Sequence, residues 1–161
     1  MAKVYLETSF VSACVTARTD AGSVHRKRVS LEWWGTQRHR YELAVSDEVV
    51  TELSQPSYPQ REDALAFIGG IDSLAVTPEV TELARILIDQ RVMPAPLAGD
   101  AIHVAAAMFY HVEFVLSWNV RHLANPNKVR HLATICMRLR FVPPQIVTPD
   151  ALWEPPDEPS R

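Results

Sequence analysis

Apolar positions in this chain switch repeatedly between a strand-like run and a helical period. Residues 3–6 form a short apolar run, after which Phe10, Val11, Cys14 and Val15 recur at helical spacing, so a strand followed by a helix is predicted. Residues 23–39 are rich in helix formers and carry the Trp33-Trp34 pair, and Tyr41-Glu42-Leu43-Ala44-Val45 then alternates as a second strand. Ser46 is placed to cap a helix over about 47–54 that stops ahead of Gln55-Pro56-Ser57, and a further helix spans about 60–68 before Gly69-Gly70. A third strand falls at 73–76. Thr77-Pro78-Glu79 then offers a capping hydroxyl, a proline at the first helical position and an acid in the first turn, opening a helix to about 91. Beyond Pro94-Ala95-Pro96 the pattern gives a helix over about 97–110, a strand at 113–117, a helix over about 126–140 and a strand at 145–147.

Strand and helix in repeated alternation imply a parallel sheet covered on both faces, because parallel neighbours need crossover connections. At 161 residues the chain is expected to form one domain over 1–148, with a flexible tail over 149–161 that begins near the Pro- and acid-rich end. A hydrophobic share of 47% and a charged share of 22% are those of an ordinary globular domain. No run approaches the roughly 20 apolar residues of a membrane helix, and the start lacks a signal-peptide pattern, so a cytoplasmic location without membrane contact is expected. Cys14 and Cys136 stand far apart in apolar segments and read as core thiols. A net charge of −3 gives no global attraction to nucleic acid, so any such contact must use a local basic patch.

Acids at strand ends change the picture. In an open parallel sheet, ligands bind beyond the carboxyl ends of the strands. Glu7 follows the first strand, Glu52 lies in the helix after the second, Asp100 lies in the first turn of the helix leading to the fourth, and Asn119 follows the fourth. The helix of Asp100 is apolar on nearly every side and is therefore predicted to be buried, where an unpaired carboxylate needs a cation or a full set of donors. Each acid also has a plainer reading. Asp100 is placed to accept helix N-terminal amides, Glu7 to brace the next helix start, and Glu48 competes with Glu52 as the inward-facing acid of its helix.

Four segments together resemble the PIN domain, and more closely the VapC-type toxin ribonucleases of toxin–antitoxin pairs. They are Leu6-Glu7-Thr8-Ser9, Ser46 through Glu52, Gly99-Asp100-Ala101-Ile102-His103-Val104-Ala105-Ala106-Ala107, and Ser117-Trp118-Asn119, and the likeness covers about residues 3–148. The resemblance implies a PIN-like three-layer α/β/α sandwich with a parallel central sheet of about five strands. It implies Mg²⁺- or Mn²⁺-dependent endonucleolytic cleavage of RNA, with Glu7, Glu52 and Asp100 as metal ligands and catalytic acids and Asn119 beside them. Thr8, Ser9, Ser117 and His122 are the implied supporting residues, and a homodimer and a cognate antitoxin the implied assembly. Hard divalent cations of this kind prefer oxygen donors and keep several waters. The chain departs from the family pattern at Glu7, where aspartate is usual and the extra methylene adds about 1.5 Å of bond length. It departs again after the fourth strand, where Asn119 and His122 stand in place of a further acid.

A second reading is a PIN-like binding module with weak or no cleavage, acting through protein partners. His103, three residues beyond Asp100, reads first as a core histidine satisfied by one hydrogen bond and only secondarily, with His122, as a zinc ligand. Basic residues concentrate at Arg26, Lys27 and Arg28 with Arg38 and Arg40, and again from Arg121 to Arg140, as solvated faces or RNA contacts. Trp33 and Trp34 are expected to pack between helices rather than to stack on bases.

Overall fold

The structure, a computed structural model, describes residues 1–156. Five strands, β1 (Lys3–Leu6), β2 (Glu42–Ser46), β3 (Asp72–Leu74), β4 (Phe114–Leu116) and β5 (Gln145–Val147), form one sheet in the order β3-β2-β1-β4-β5, and every pairing is parallel. Strand β1 is thus central, with Lys3 opposite Glu42 on one side and Val4 opposite Phe114 on the other. Val4, Tyr5 and Leu6 are fully buried, as a strand covered on both faces requires.

Among the described residues, eight α-helices and one short 3-10 turn (Arg38–Arg40) connect the strands: α1 (Thr8–Val15), α2 (Ala21–Thr36), α3 (Asp47–Leu53), α4 (Arg61–Phe67), α5 (Pro78–Asp89), α6 (Asp100–Phe109), α7 (Val120–Leu123) and α8 (Pro126–Arg138). Their starts follow the expected caps. The Ser46 hydroxyl accepts the Glu48 N–H at 3.2 Å and the Thr77 hydroxyl accepts that of Val80 at 3.3 Å, with Pro78 opening its helix. Helix α6 is the most buried, with Ala101 through Met108 all inside, as its uniformly apolar sequence demands. Cys14 and Cys136 are buried free thiols, and burial pushes them up to about 12 and about 11.

The architecture is the expected one, and the differences are local. Helix α6 begins at Asp100 rather than near 97, because Gly99 takes φ 58° and ψ −124°, a backbone conformation outside any helix. Strand β3 lies at Asp72–Leu74 rather than 73–76, and the short α7 was not expected. Trp33 packs inside as expected, against Phe10 and Tyr41, and its indole N–H donates to the Leu152 carbonyl at 2.8 Å. That bond lays the first described residues of the expected tail against α2. Leu152 is buried, and Glu154 joins Gln37 through two backbone-to-side-chain bonds and Arg40 through an ion pair at 3.0 Å. The rest of that expected tail, 157–161, lies outside the described residues. Among the described residues no helix is long and apolar enough to cross a membrane.

Candidate active site

The carboxyl end of β1 delivers Glu7 into the interior, where it is 4% exposed. Glu7 is the N-cap of α1, an unusual choice where shorter side chains prevail. Its Oε2 accepts the Ser9 backbone N–H at 2.9 Å, the Ser9 hydroxyl, and the Ser117 hydroxyl at 2.8 Å from the end of β4. The longer glutamate arm allows one oxygen to cap its own helix and bind the neighbouring strand together. Oε1 remains free of such donors and faces His103 Nε2 at 3.9 Å.

Glu52, on the last turn of α3, turns inward with half-exposed side chain. Its Oε1 accepts the Thr8 hydroxyl at 3.1 Å and bonds His103 Nε2, while among the described residues its Oε2 accepts nothing. Glu48, one turn earlier, accepts the Gly99 N–H at 2.9 Å and so holds the approach to α6. Glu48 and Glu52 therefore both face this end of the sheet with different partners, while Asp47, the third acid of α3, accepts the Ser73 hydroxyl and the Val76 N–H. Asp100 is half-buried, and both of its oxygens accept the Asn119 side-chain amide, at 3.2 and 3.3 Å. The Asn119 backbone N–H donates to Ser117 Oγ at 2.9 Å, so a continuous run of bonds links Asp100 through Asn119 and Ser117 to Glu7.

His103 corrects the expectation of a core histidine with a single bond. It is fully buried and bonded at both ring nitrogens, Nε2 to Glu52 and Nδ1 to the Tyr5 hydroxyl at 2.6 Å, and that hydroxyl reaches Ser46 Oγ at 2.6 Å. Burial disfavours the charged ring, but the Glu52 bond and the charges of Glu7, Glu52 and Glu48 outweigh it and raise His103 above its ordinary value. Burial likewise works against ionised Glu52, yet the His103 bond and charge and the Thr8 bond hold it below its ordinary value. The Tyr5 hydroxyl thus bridges the ring's Nδ1 and the Ser46 hydroxyl. The Tyr5 phenol, raised well above its usual range by burial, keeps its proton for that role.

Of the expected site residues, Glu7, Ser9, Ser117, Asn119 and Asp100 join one bonded run, and Thr8 and Glu52 join a second one around His103, whose Nε2 lies 3.9 Å from Glu7 Oε1. His122 joins neither: it is exposed on α7 and makes no hydrogen bond among the described residues. His103, Tyr5 and Ser46 are members that the sequence reading did not place there. The signal for His103 was its position one turn from Asp100 on an apolar helix, and for Tyr5 a hydroxyl inside a strand otherwise made for the core.

The donor set suits a hard cation, since Glu7 Oε1, Glu52 Oε2 and the weakly bonded Asp100 oxygens are carboxylate oxygens with capacity to spare. Among the described residues, however, no three acid, imidazole or thiol groups form a ready-made metal cluster. Glu52 instead bonds His103, and Asp100 bonds Asn119.

No protein-family model matches the chain, and no curated protein matches it by sequence. Solved structures do. The chain is similar to the Mycobacterium tuberculosis toxin VapC20, described as cleaving the sarcin–ricin loop, at 18% identity over 72% of this chain and 89% of that one, with a TM-score of 0.56. It is similar to a chain of a toxin–antitoxin complex from Klebsiella pneumoniae, at 15% identity over 91% and 97% with a TM-score of 0.57. It is also similar to a chain of VapBC2 from Rickettsia felis, solved on a promoter DNA fragment, at 12% identity over 94% and 99% with a TM-score of 0.53. These likenesses span nearly the whole of those chains, and they establish that this protein has the PIN-like fold of the VapC toxins.

Proposed function

We propose that this chain is a Mg²⁺- or Mn²⁺-dependent endoribonuclease, the toxin of a toxin–antitoxin pair, acting in the cytoplasm and restrained by a cognate antitoxin. The observation that carries the reading is placement: Glu7, Glu52 and Asp100 come from three different elements at the carboxyl end of the central strands, where α/β folds bind ligands. The fold shared with chains of toxin–antitoxin complexes supports a cognate antitoxin, and the same reading includes the homodimer that the sequence resemblance implies.

Glu7, Glu52 and Asp100 would hold the ion, and the ion when bound supplies an activated water and offsets charge on the leaving oxygen. The chain's own residues prepare for that. Ser9 and Ser117 fix Glu7 by one oxygen and leave the other presented, Thr8 and His103 hold Glu52, and Asn119 steadies Asp100. His103 stands between the two acids, bonded to Glu52 Oε1 and 3.9 Å from Glu7 Oε1, and so holds this corner of the site before any cation arrives.

The test is cleavage of RNA by chelated protein to which Mg²⁺ or Mn²⁺ is returned. Asp100→Asn is expected to lower the metal-dependent rate at least a hundredfold while leaving the melting temperature within about 2 °C, because Asp100 is half-exposed and bonded only through Asn119. The second reading, a binding module without cleavage, is favoured by one observation, the engagement of Glu52 by His103. No cleavage of any RNA, together with no metal-induced rise in melting temperature, would establish it instead.

A further inference from the structure

Glu7 and Glu52 each keep one carboxylate oxygen occupied and the other open. Glu7 Oε2 accepts the Ser9 N–H, the Ser9 hydroxyl and the Ser117 hydroxyl, and Oε1 takes none of these donors. Glu52 Oε1 holds the Thr8 hydroxyl at 3.1 Å and His103 Nε2, while among the described residues Oε2 holds nothing. A carboxylate oxygen offers about two lone pairs, so each occupied oxygen is filled. Both acids therefore present a cation with a single oxygen rather than a chelating pair.

The Glu52 half of this arrangement depends on how the His103 ring is turned. An ionised carboxylate only accepts, so Nε2 carries the hydrogen of that bond. Half a turn of the ring about its Cβ–Cγ bond would put carbon where each nitrogen now stands and would release Oε1. The opposite nitrogen decides between the two orientations, because Nδ1 is held by the Tyr5 hydroxyl at 2.6 Å. A phenol hydroxyl both donates and accepts, and so satisfies Nδ1 with or without a proton there. Tyr5 is itself held: its oxygen lies 2.6 Å from Ser46 Oγ, and Ser46 is the N-cap of α3, the helix whose last turn carries Glu52. The bonds thus close a ring from the start of α3 through β1 and α6 back to the end of α3. Tyr5 bonds neither acid and acts on Glu52 through His103.

Cations respond to this difference through their size. Mg²⁺ takes a near-octahedral shell of oxygens at about 2.0–2.1 Å, keeps several waters and needs only one or two carboxylates, whereas Ca²⁺ takes about six to eight oxygens and accepts both oxygens of one carboxylate. We propose that Tyr5 is a positioning residue for cation choice: by locking the His103 ring onto Glu52 Oε1, it keeps Glu52 a one-oxygen donor and disfavours Ca²⁺ against the smaller Mg²⁺ and Mn²⁺. The proposal rests on the metal-dependent reading and adds to it a size filter set from inside β1. Glu7 is restricted in the same way by donors on two elements, so Glu52 is the acid whose second oxygen one buried substitution can release.

The experiment follows Mn²⁺ binding to the chelator-stripped full chain through the electron paramagnetic resonance of free Mn²⁺, with Mg²⁺ and Ca²⁺ as competitors, at a temperature where circular dichroism shows each variant folded. Wild type is expected to exchange Mn²⁺ for Mg²⁺ more readily than for Ca²⁺. Tyr5→Phe is expected to raise competition by Ca²⁺ relative to Mg²⁺ about tenfold, the lower end of what partners standing behind a metal ligand contribute. Thr8→Val removes the other donor on Oε1, is expected to move the ratio the same way, and takes the place of Tyr5→Phe should that variant fail to fold. Trp33→Phe removes a buried bond outside the site and is expected to lower stability without moving the ratio, which separates positioning from loss of stability. An unmoved ratio in Tyr5→Phe, or in Thr8→Val where it stands in, an equal shift in Trp33→Phe, or a wild-type preference for Ca²⁺ would each overturn the size filter and leave the metal-dependent nuclease standing. No Mn²⁺ binding by wild type would remove the metal-dependent reading itself, and the filter with it.

Discussion

His103 holds three elements together at a single ring: β1 through Tyr5, α3 through Glu52 and, by its own backbone, α6. Replacing it with leucine removes both bonds and leaves Glu52 and the Tyr5 hydroxyl without that partner. The cost is expected to be about 2 kcal/mol, since buried polar groups left without partners cost roughly 1–3 kcal/mol each and Glu52 is partly solvated. At this chain length that is a fall of about 4–8 °C in the melting temperature of chelated protein, read by thermal unfolding. The pH dependence has a definite sign. The ring sits above its ordinary value in the fold, so its stabilisation is complete below the unfolded value and is lost as pH climbs through the folded one. Glu52 sits below its ordinary value, so its share is complete above the unfolded value and is lost as pH falls through the folded one. The gap in melting temperature between wild type and His103→Leu should be widest between those limits and should close on the alkaline side. Much of the site was legible at this scale because Glu7, Ser9, Ser117 and Asn119 each sit at a strand end that the hydrophobic pattern locates. The His103–Tyr5 contact was not, because it joins residues 98 positions apart whose meeting depends on how α6 lies against β1.

Among the elements, α6 shows most clearly how a boundary serves a site. Its start is set by Gly99, whose backbone angles belong to a region that only glycine enters at low cost, and whose N–H is tied to Glu48. Gly99→Ala meets no atom within 4 Å, so the penalty is conformational alone. We expect a loss of about 1–3 kcal/mol in denaturant unfolding, with Asp100 shifted enough to depress metal-dependent cleavage as well. An unchanged midpoint would show that the helix start adapts. The apolar run before Asp100 pointed to an earlier start, since periodicity registers Leu97 but not a glycine's backbone angles. Strand β3 was displaced for a related reason: at the sheet's edge its short span is half-exposed, and alternation there carries little information.

For the molecule as a whole, closure depends on a return of the chain over α2. Leu152 covers the Trp33 region and supplies the acceptor for its indole, and Glu154 adds bonds to Gln37 and Arg40. Ending the chain at 151 should therefore lower stability by about 2–3 kcal/mol, combining one buried leucine with one lost buried acceptor. Glu154→Ala alone should cost less than about 1 kcal/mol, because the Glu154 side of its ion pair with Arg40 is open to solvent and its backbone bonds to Gln37 stay in place. Chemical unfolding of the two variants separates these contributions, and equal effects would mean that the ion pair rather than the apolar cover holds the segment. The all-parallel sheet itself followed from strand–helix alternation, whereas this return did not, since a Pro- and acid-rich ending reads as solvent-loving whatever its first residues touch.

The central place of β1 also sets an order of events during synthesis. Residue 7 leaves the ribosome long before residues 114–117, yet the β4 register and the Ser117 hydroxyl are what seat it. An incomplete nascent chain holds Glu7 and its two Ser9 donors but lacks β4 and the Ser117 hydroxyl, so whatever chemistry this acid supports stays latent until most of the domain has been made.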